Sequence, residues 1–158
     1  MDSLKVTPIG KIRHRDGGFF IEVDPGYIPA LQGLEGFSHV NVFWWFSDFD
    51  TMEYRSVLEA PQPYKNAPPV MGVFATRSPL RPNPIALTAS EVIRVDAEKG
   101  VIELTYTDAN DGTPVIDIKP YTPSFDRIEN PGVPQWCAHW PNSLEESGSF
   151  PWEREFNF

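Results

Sequence analysis

Proline is the feature that most constrains the fold of this chain, because it occurs seventeen times in 158 residues. A proline inside a helix costs about 3 kcal/mol, since it lacks a backbone donor and clashes with the preceding turn. This frequency argues against a helical bundle. The length suits one domain with a substantial core. We therefore expect an all-β, β-rich fold, a single small β-barrel.

Short apolar runs bounded by glycine, proline and aspartate indicate where the strands lie. The expected strands cover residues 6–13, 19–23, 38–46, 70–75, 85–96, 101–107 and 115–118. The run 38–46 is apolar on both faces, which is typical of a strand buried on two sides. Residues 1–126 are expected to form the barrel, and residues 127–158 an irregular Pro/Trp-rich C-terminal arm packed on the same domain. Its tryptophans, Trp136, Trp140 and Trp152, would pin that arm onto the barrel.

Composition indicates the cellular compartment in which we expect this protein. No run of about 18 apolar residues occurs, and the N-terminus lacks the basic-then-apolar pattern of a signal peptide. The single cysteine, Cys137, cannot form an internal disulfide, which fits a reducing compartment. With His139 it would supply two metal ligands at most. We expect a cytoplasmic protein without a membrane segment or a metal.

The first motif is the stretch 72–85, which reads GVFATRSPLRPNPI. Its prolines fix φ and push the residues before them towards extended geometry. A stiff loop between two strands, which we call the arginine loop, therefore presents a set of polar side chains, namely Arg77, Ser78, Arg81 and Asn83. Rigid loops of this kind often carry binding sites.

The second motif is the stretch 111–121, which reads DGTPVIDIKPY. Asp117 and Lys119 are two residues apart, so they share one face of a strand. They form either an exposed ion pair, worth about 1 kcal/mol or less, or a site that converges with Tyr121 near the arginine loop.

Both motifs resemble the signatures of the TsaA-like family, whose characterised member is tRNA-methyltransferase O (YaeB-type). The segments 9–13 and 34–40 resemble two further family segments, so the resemblance spans residues 5–126. The chain looks like a short form that lacks the C-terminal domain of larger members. The resemblance implies a β-barrel that binds S-adenosylmethionine, a homodimer with the cofactor near the interface, and N6-methylation of threonylcarbamoyl-adenosine beside the anticodon of tRNA.

The same resemblance implies the site residues. Those expected at the cofactor are Arg77, Ser78, Arg81, Ala86, Ser47, Asp48, Thr105, Tyr106, Asp108 and Lys119. The acids suit a positively charged methyl donor, and Arg77 or Arg81 suits its carboxylate. Those expected to act on the acceptor are Asp117 or Asn83, which would orient the adenine amine, and Tyr121, which would stack on the base.

Several observations keep other functions open. Family members commonly carry His at the position of Ser47, and Ser-Pro where this chain has His14-Arg15. The net charge of −9 opposes contact with RNA, although the arginine loop is locally basic. The alternatives are a non-catalytic regulatory module that binds S-adenosylmethionine or a nucleotide, a methyltransferase with a different small substrate, and a protein-interaction barrel without a cofactor.

Overall fold

The computed structural model describes residues 4–158, which form two compact units. The first unit contains the residues up to Thr51 together with Asn83–Arg127, and the second contains Met52–Pro82 together with Ile128–Phe158. Both units are thus built from segments that are separated in sequence.

The described residues contain eight strands. In chain order they are β1 (Gly10–Arg15), β2 (Gly18–Val23), β3 (His39–Trp45), β4 (Glu59–Pro61), β5 (Val70–Gly72), β6 (Ile85–Asp96), β7 (Val101–Leu104) and β8 (Pro114–Pro120).

The first unit is a closed antiparallel barrel in the order β1-β2-β7-β6-β3-β8, which confirms the predicted fold class. Most inward residues of the strands are apolar and form one core. Its most completely buried members are Ile12, Ile21, Val40, Val42, Ile102, Leu104 and Val115. Burial of alternate side chains on each strand stabilises the barrel and leaves the other side chains facing outward.

Turn chemistry explains the tight connection between β1 and β2. Asp16 and Gly17 both have positive φ, 49° and 77°, as a two-residue hairpin turn requires. The β6–β7 hairpin closes through residues 97–100, as the sequence predicts, and β6 has the predicted bounds.

The prediction of two-sided burial for β3 is wrong for this chain. Its inward residues Val40, Val42 and Trp44 are buried, whereas its outward residues Asn41, Phe43 and Trp45 are only half-buried. The barrel has one interior, so only one face of a strand can enter it.

The second unit combines a small sheet with short helices and an aromatic cluster. Strands β4 and β5 pair antiparallel, and Tyr64 bridges to Phe156. The Tyr64 ring stacks on Trp136 at a centroid distance of 5.5 Å and meets Trp140 edge-on at 5.0 Å. The C-terminal segment is therefore held to residues 52–82 within this unit, a pairing that the sequence did not indicate. The boundary between a barrel of residues 1–126 and a C-terminal arm of residues 127–158 stays a prediction.

The helices are all short. The α-helices are α1 (Met52–Arg55), α2 (Pro123–Asp126) and α3 (Leu144–Ser147), and the 3-10 segments are Pro25–Leu31, Ser47–Phe49, Val73–Ala75, Gln135–Cys137 and Trp152–Arg154. Across residues 4–158, no helix has the length and apolar character needed to cross a membrane.

Candidate functional site

A cavity of about 100 Å³ lies in the first unit where β3 ends and the Ser47–Phe49 turn begins. Residues 44–49 line it together with Asp108, Asn110 and Thr113, and we call it the acidic pocket. Its charged lining side chains are Asp48 and Asp108, and none of its lining residues is basic. The pocket therefore favours a cationic ligand.

A hydrogen-bonded chain fixes one of these carboxylates. The buried indole Nε1 of Trp44 donates to Thr88 Oγ1 at 3.0 Å, and this hydroxyl donates to Asp108 Oδ1 at 2.7 Å. Thr88 can make both contacts because it faces inward on β6, opposite Val42 on β3.

The second carboxylate is held in a similar way, by Asn110. The Asn110 amide Nδ2 donates to Asp48 Oδ2 at 3.1 Å. Aromatic rings complete the wall: Phe46 meets Trp44 edge-on at 4.5 Å and Phe49 at 6.2 Å. Carboxylates beside aromatic faces form a suitable environment for an organic cation.

The residues of the acidic pocket fit part of S-adenosylmethionine. Its sulfonium is an organic cation, and the paired carboxylates and rings match that charge. The volume is below the roughly 300–1,000 Å³ of typical small-molecule sites, so the pocket has room for the charged end and not for the whole molecule. The remainder of the cofactor must contact residues outside the pocket.

Three predicted cofactor residues, Ser47, Asp48 and Asp108, line the acidic pocket. Ala86 is buried and lies opposite Trp44 in the β3–β6 ladder, directly beside the pocket wall.

Thr105 and Tyr106 are exposed and occupy the segment between β7 and Asp108. Ser90 Oγ donates to the Tyr106 carbonyl at 2.7 Å and so ties this segment to β6. Partial desolvation of the side chain raises the pKa of the Tyr106 hydroxyl, and the nearby Asp108 carboxylate raises it further.

Three polar residues of the arginine loop, Arg77, Ser78 and Arg81, lie in the second unit and have different roles. Arg77 is exposed. Ser78 stays within the loop, since its Oγ accepts from the Leu80 amide at 3.2 Å. Arg81 Nη2 donates to the Val73 carbonyl at 2.9 Å and to the Thr76 carbonyl at 2.8 Å, which holds the loop in shape.

Asp117 and Lys119 form the exposed ion pair that the sequence allowed, with Nζ 2.8 Å from Oδ2. This contact raises the pKa of the Lys119 ammonium, first through the hydrogen bond to Asp117 and then through its charge. Neither residue lines the acidic pocket. Asp117 lies four residues beyond Thr113, a separation of roughly 13 Å at the rise of a strand.

The remaining predicted residues also lie apart from the acidic pocket lining. The ring of Tyr121 faces His39 at 6.2 Å, near the beginning of β3, whereas the pocket is at its end. Asn83 is exposed just before β6, and its carbonyl accepts from the Ile85 amide at 2.7 Å.

A second cavity, of about 310 Å³, lies at the opposite end of β8. It is lined mainly by apolar residues of the Pro25–Leu31 segment and its surroundings, with Asp117, Ile118 and Pro120 from β8. One chain therefore places Asp117 at this cavity and Asp108 at the acidic pocket.

The outward surface of β3 and β6 between these cavities is apolar. Phe43 lies opposite Leu87, and Trp45 lies opposite Ile85. Leu87 is 42% exposed and Ile85 is 38% exposed. We call these four residues the apolar face. The Asp117–Lys119 pair borders it, because Asp117 lies opposite Phe43.

Sequence reasoning missed Thr88 and Asn110 as contributors to the pocket. A signal for Thr88 existed, because Ala86, Thr88 and Ser90 alternate with apolar or charged residues on β6 and would share the inward face. A hydroxyl at an inward position needs a hydrogen-bond partner. No comparable signal marks Asn110, whose partner Asp48 is 62 residues away.

Comparison with known proteins places the chain among methyltransferase-related sequences. Residues 2–127 match the family model described as the tRNA-methyltransferase O N-terminal domain. A protein of Pyrococcus horikoshii, named "Probable S-adenosyl-L-methionine-binding protein", is 36% identical over 126 residues, or 79% of this chain and 88% of that protein.

Longer relatives carry an enzyme name. The Escherichia coli protein named tRNA (adenine(37)-N6)-methyltransferase is 39% identical over 118 residues, which cover 72% of this chain and 48% of that protein. A crystal structure of TrmO from Pseudomonas aeruginosa has a TM-score of 0.61 and 28% identity, and the match covers 83% of this chain and 62% of that one. The chain therefore spans about half of the bacterial enzyme's length.

Proposed function

The chain belongs to the tRNA-methyltransferase O N-terminal domain family, and on that premise we propose that it is an S-adenosylmethionine-dependent methyltransferase. Its acceptor is N6 of the adenosine beside the anticodon of tRNA, in its threonylcarbamoyl form. The observation that carries this proposal is the acidic pocket, in which Asp48 and Asp108 lie beside aromatic rings. The enzyme name of the E. coli relative supports an adenosine of tRNA as the acceptor.

The acidic pocket holds the positive end of the methyl donor. When bound, S-adenosylmethionine supplies an electrophilic methyl group, which passes to a nucleophilic nitrogen. Asp108 and Asp48 stabilise the cation because their positions are fixed by Thr88 and Asn110 before the ligand arrives. From the family resemblance we propose Arg77 as the residue that binds the carboxylate of the donor, since a guanidinium favours bidentate contact.

Asp117 orients the amine of the acceptor base and accepts its proton, with the side-chain oxygen of Asn83 as the alternative hydrogen-bond acceptor, and Tyr121 stacks on the base. Lys119 steadies the Asp117 carboxylate through their 2.8 Å contact. Because Asp117 lies roughly 13 Å along β8 from the acidic pocket, these groups act on a donor bound by a second copy of the chain.

A homodimer formed through the apolar face makes this arrangement possible. Trp45 belongs both to this face and to the lining of the acidic pocket. The face is flanked by Asp117 and Lys119, which carry opposite charges and can pair with the same residues of a two-fold partner. Aromatic and aliphatic side chains at the centre with charges at the edge are typical of such interfaces.

Transfer of a labelled methyl group tests the proposal. Purified protein is incubated with tritiated S-adenosylmethionine and tRNA, and the digested nucleosides are resolved by mass spectrometry. We expect label on the threonylcarbamoyl-adenosine beside the anticodon, and loss of that label in Arg77→Ala and Asp117→Ala. Label on a different nucleoside would show that the proposed acceptor is wrong.

A cofactor-binding module without turnover is the second candidate. The separation of Asp117 from the acidic pocket within one chain favours it. Tight binding of S-adenosylmethionine without methyl transfer to any tRNA would decide for this module. We propose a cytoplasmic location in either case, supported by the single, buried, reduced Cys137.

A further inference from the structure

We infer that Thr88 is a positioning residue that makes the acidic pocket prefer the positively charged methyl donor over its neutral thioether product. This inference rests on the proposed function, because it concerns the same pocket. It adds a residue of β6 that does not line the cavity and acts through Asp108.

The direction of the hydrogen bonds follows from the chemistry of the three groups. An indole N–H can only donate, so Trp44 occupies the Thr88 oxygen as a donor. A threonine hydroxyl has a single hydrogen, which is then free to point to Asp108 Oδ1, 2.7 Å away. All hydrogen bonds in this series therefore point the same way, from Trp44 through Thr88 to the carboxylate of Asp108.

The first donor of this hydrogen-bonded series, Trp44, is held rigidly by the barrel core. Trp44 is 4% exposed and lies within the barrel core. It pairs in register with Ala86 on β6, two residues before Thr88, so both ends of the indole–hydroxyl contact belong to one sheet ladder. A carboxylate held by such a ladder keeps its orientation when the ligand leaves.

A fixed carboxylate matters more for the donor than for the product. S-adenosylmethionine carries a full positive charge on sulfur, whereas S-adenosylhomocysteine, which remains after methyl transfer, has an uncharged thioether. An oriented carboxylate stabilises the first through charge and has little effect on the second. Thr88 therefore supports binding of the donor and release of the product.

Calorimetric titration with each of the two ligands tests the inference on the full chain. In Thr88→Val we expect affinity for S-adenosylmethionine to fall about tenfold, as expected for loss of one charge-orienting contact, with affinity for S-adenosylhomocysteine nearly unchanged. Thr88→Ser keeps the hydroxyl and is expected to bind both ligands like the wild type. Ser149→Ala is the control, since it removes a hydroxyl that donates to a backbone carbonyl in the second unit and has no part in the acidic pocket.

A double-mutant cycle separates positioning from general damage to the fold. If Thr88 acts through Asp108, adding Thr88→Val to Asp108→Asn causes no further loss of donor affinity. Equal losses for both ligands in Thr88→Val, or full additivity in the cycle, would overturn the role of Thr88. If Thr88→Val does not fold, Asp108→Asn must still lose donor affinity selectively, and its failure to do so would also overturn the inference.

The two proposals fail in different ways. Wild-type protein that binds neither ligand would refute the proposed function and this inference together. Wild-type protein that binds both, with an unchanged ratio of affinities in Thr88→Val, would refute only the inference.

Discussion

The guanidinium of Arg81 folds back onto its own loop and donates to the carbonyl of Val73, eight residues earlier, at 2.9 Å. The same Nη2 also donates to the Thr76 carbonyl, and Nε is buried without a partner in residues 4–158. Arg81 therefore shapes the loop that displays Arg77. Two arginines four residues apart, equivalent in the sequence motif, have different tasks.

We predict that Arg81→Ala destabilises the second unit, whereas Arg77→Ala does not. Hydrogen bonds from a charged group contribute about 1.5–3 kcal/mol to stability, and Arg81→Ala removes two. Urea denaturation followed by tryptophan fluorescence measures the change, and Arg77→Ala is the matched control because Arg77 is exposed. Equal destabilisation by the two substitutions would contradict the assignment.

We predict that shortening the Ile21 side chain strongly destabilises the barrel. This side chain is fully buried in the core cluster, so Ile21→Ala is expected to lower the free energy of unfolding by about 2–5 kcal/mol. Ile93→Ala, on the exposed part of β6, is expected to change it by less than about 0.5 kcal/mol. Chemical denaturation of both variants checks the difference, and a small effect at Ile21 would argue against its place in the core.

We predict that the second unit loses stability in acid through Glu155. A hydrogen bond from Trp140 lowers the pKa of this carboxyl below its ordinary 4.5, and contact with His139 lowers it further. A lowered pKa in the folded state means that the contribution to stability is complete above pH 4.5 and is lost as the pH falls through the lowered value.

Thermal unfolding between pH 7 and pH 3 measures this dependence. Glu155→Gln is expected to flatten the acid side of the profile, and Glu153→Gln, at a neighbouring exposed position, is expected to leave it unchanged. An unaltered acid profile in Glu155→Gln would show that another carboxyl is responsible.

We predict that Leu87→Asp converts the proposed homodimer into a monomer. Leu87 belongs to the apolar face and lies opposite Phe43, and a buried unpaired charge there disfavours association. Light scattering after size-exclusion chromatography gives the mass in solution. Ile93→Asp, elsewhere on the same strand, is the control and is expected to leave the dimer intact, so a monomer in both variants or in the wild type would rule out this interface.

The sequence by itself was enough for the β-rich class, the bounds of β6, the hairpin turns and the two motifs. These features depend on neighbours along the chain, since turn residues need positive φ and strands show alternation over a few positions. The Asp117–Lys119 contact was predicted in the same way, from the spacing of two residues on one strand, whereas the roles of Arg77 and Asp108 at the cofactor were implied by the family resemblance and stay predictions.

Only the tertiary structure decided which of these residues share a pocket. Trp44 and Thr88 are 44 residues apart, and Thr88 and Asp108 are 20 apart. The first contact depends on the register of β3 against β6, and the second on the pairing of β6 with β7 and the segment that follows β7, so both are properties of the closed barrel. The same closure put Asp117 on the outward surface beside Phe43, away from Asp108. The spacing of residues along the sequence shows which face of its own strand a residue occupies. Which strands become neighbours is decided by the packing of the complete hydrophobic core, and this depends on all strands together.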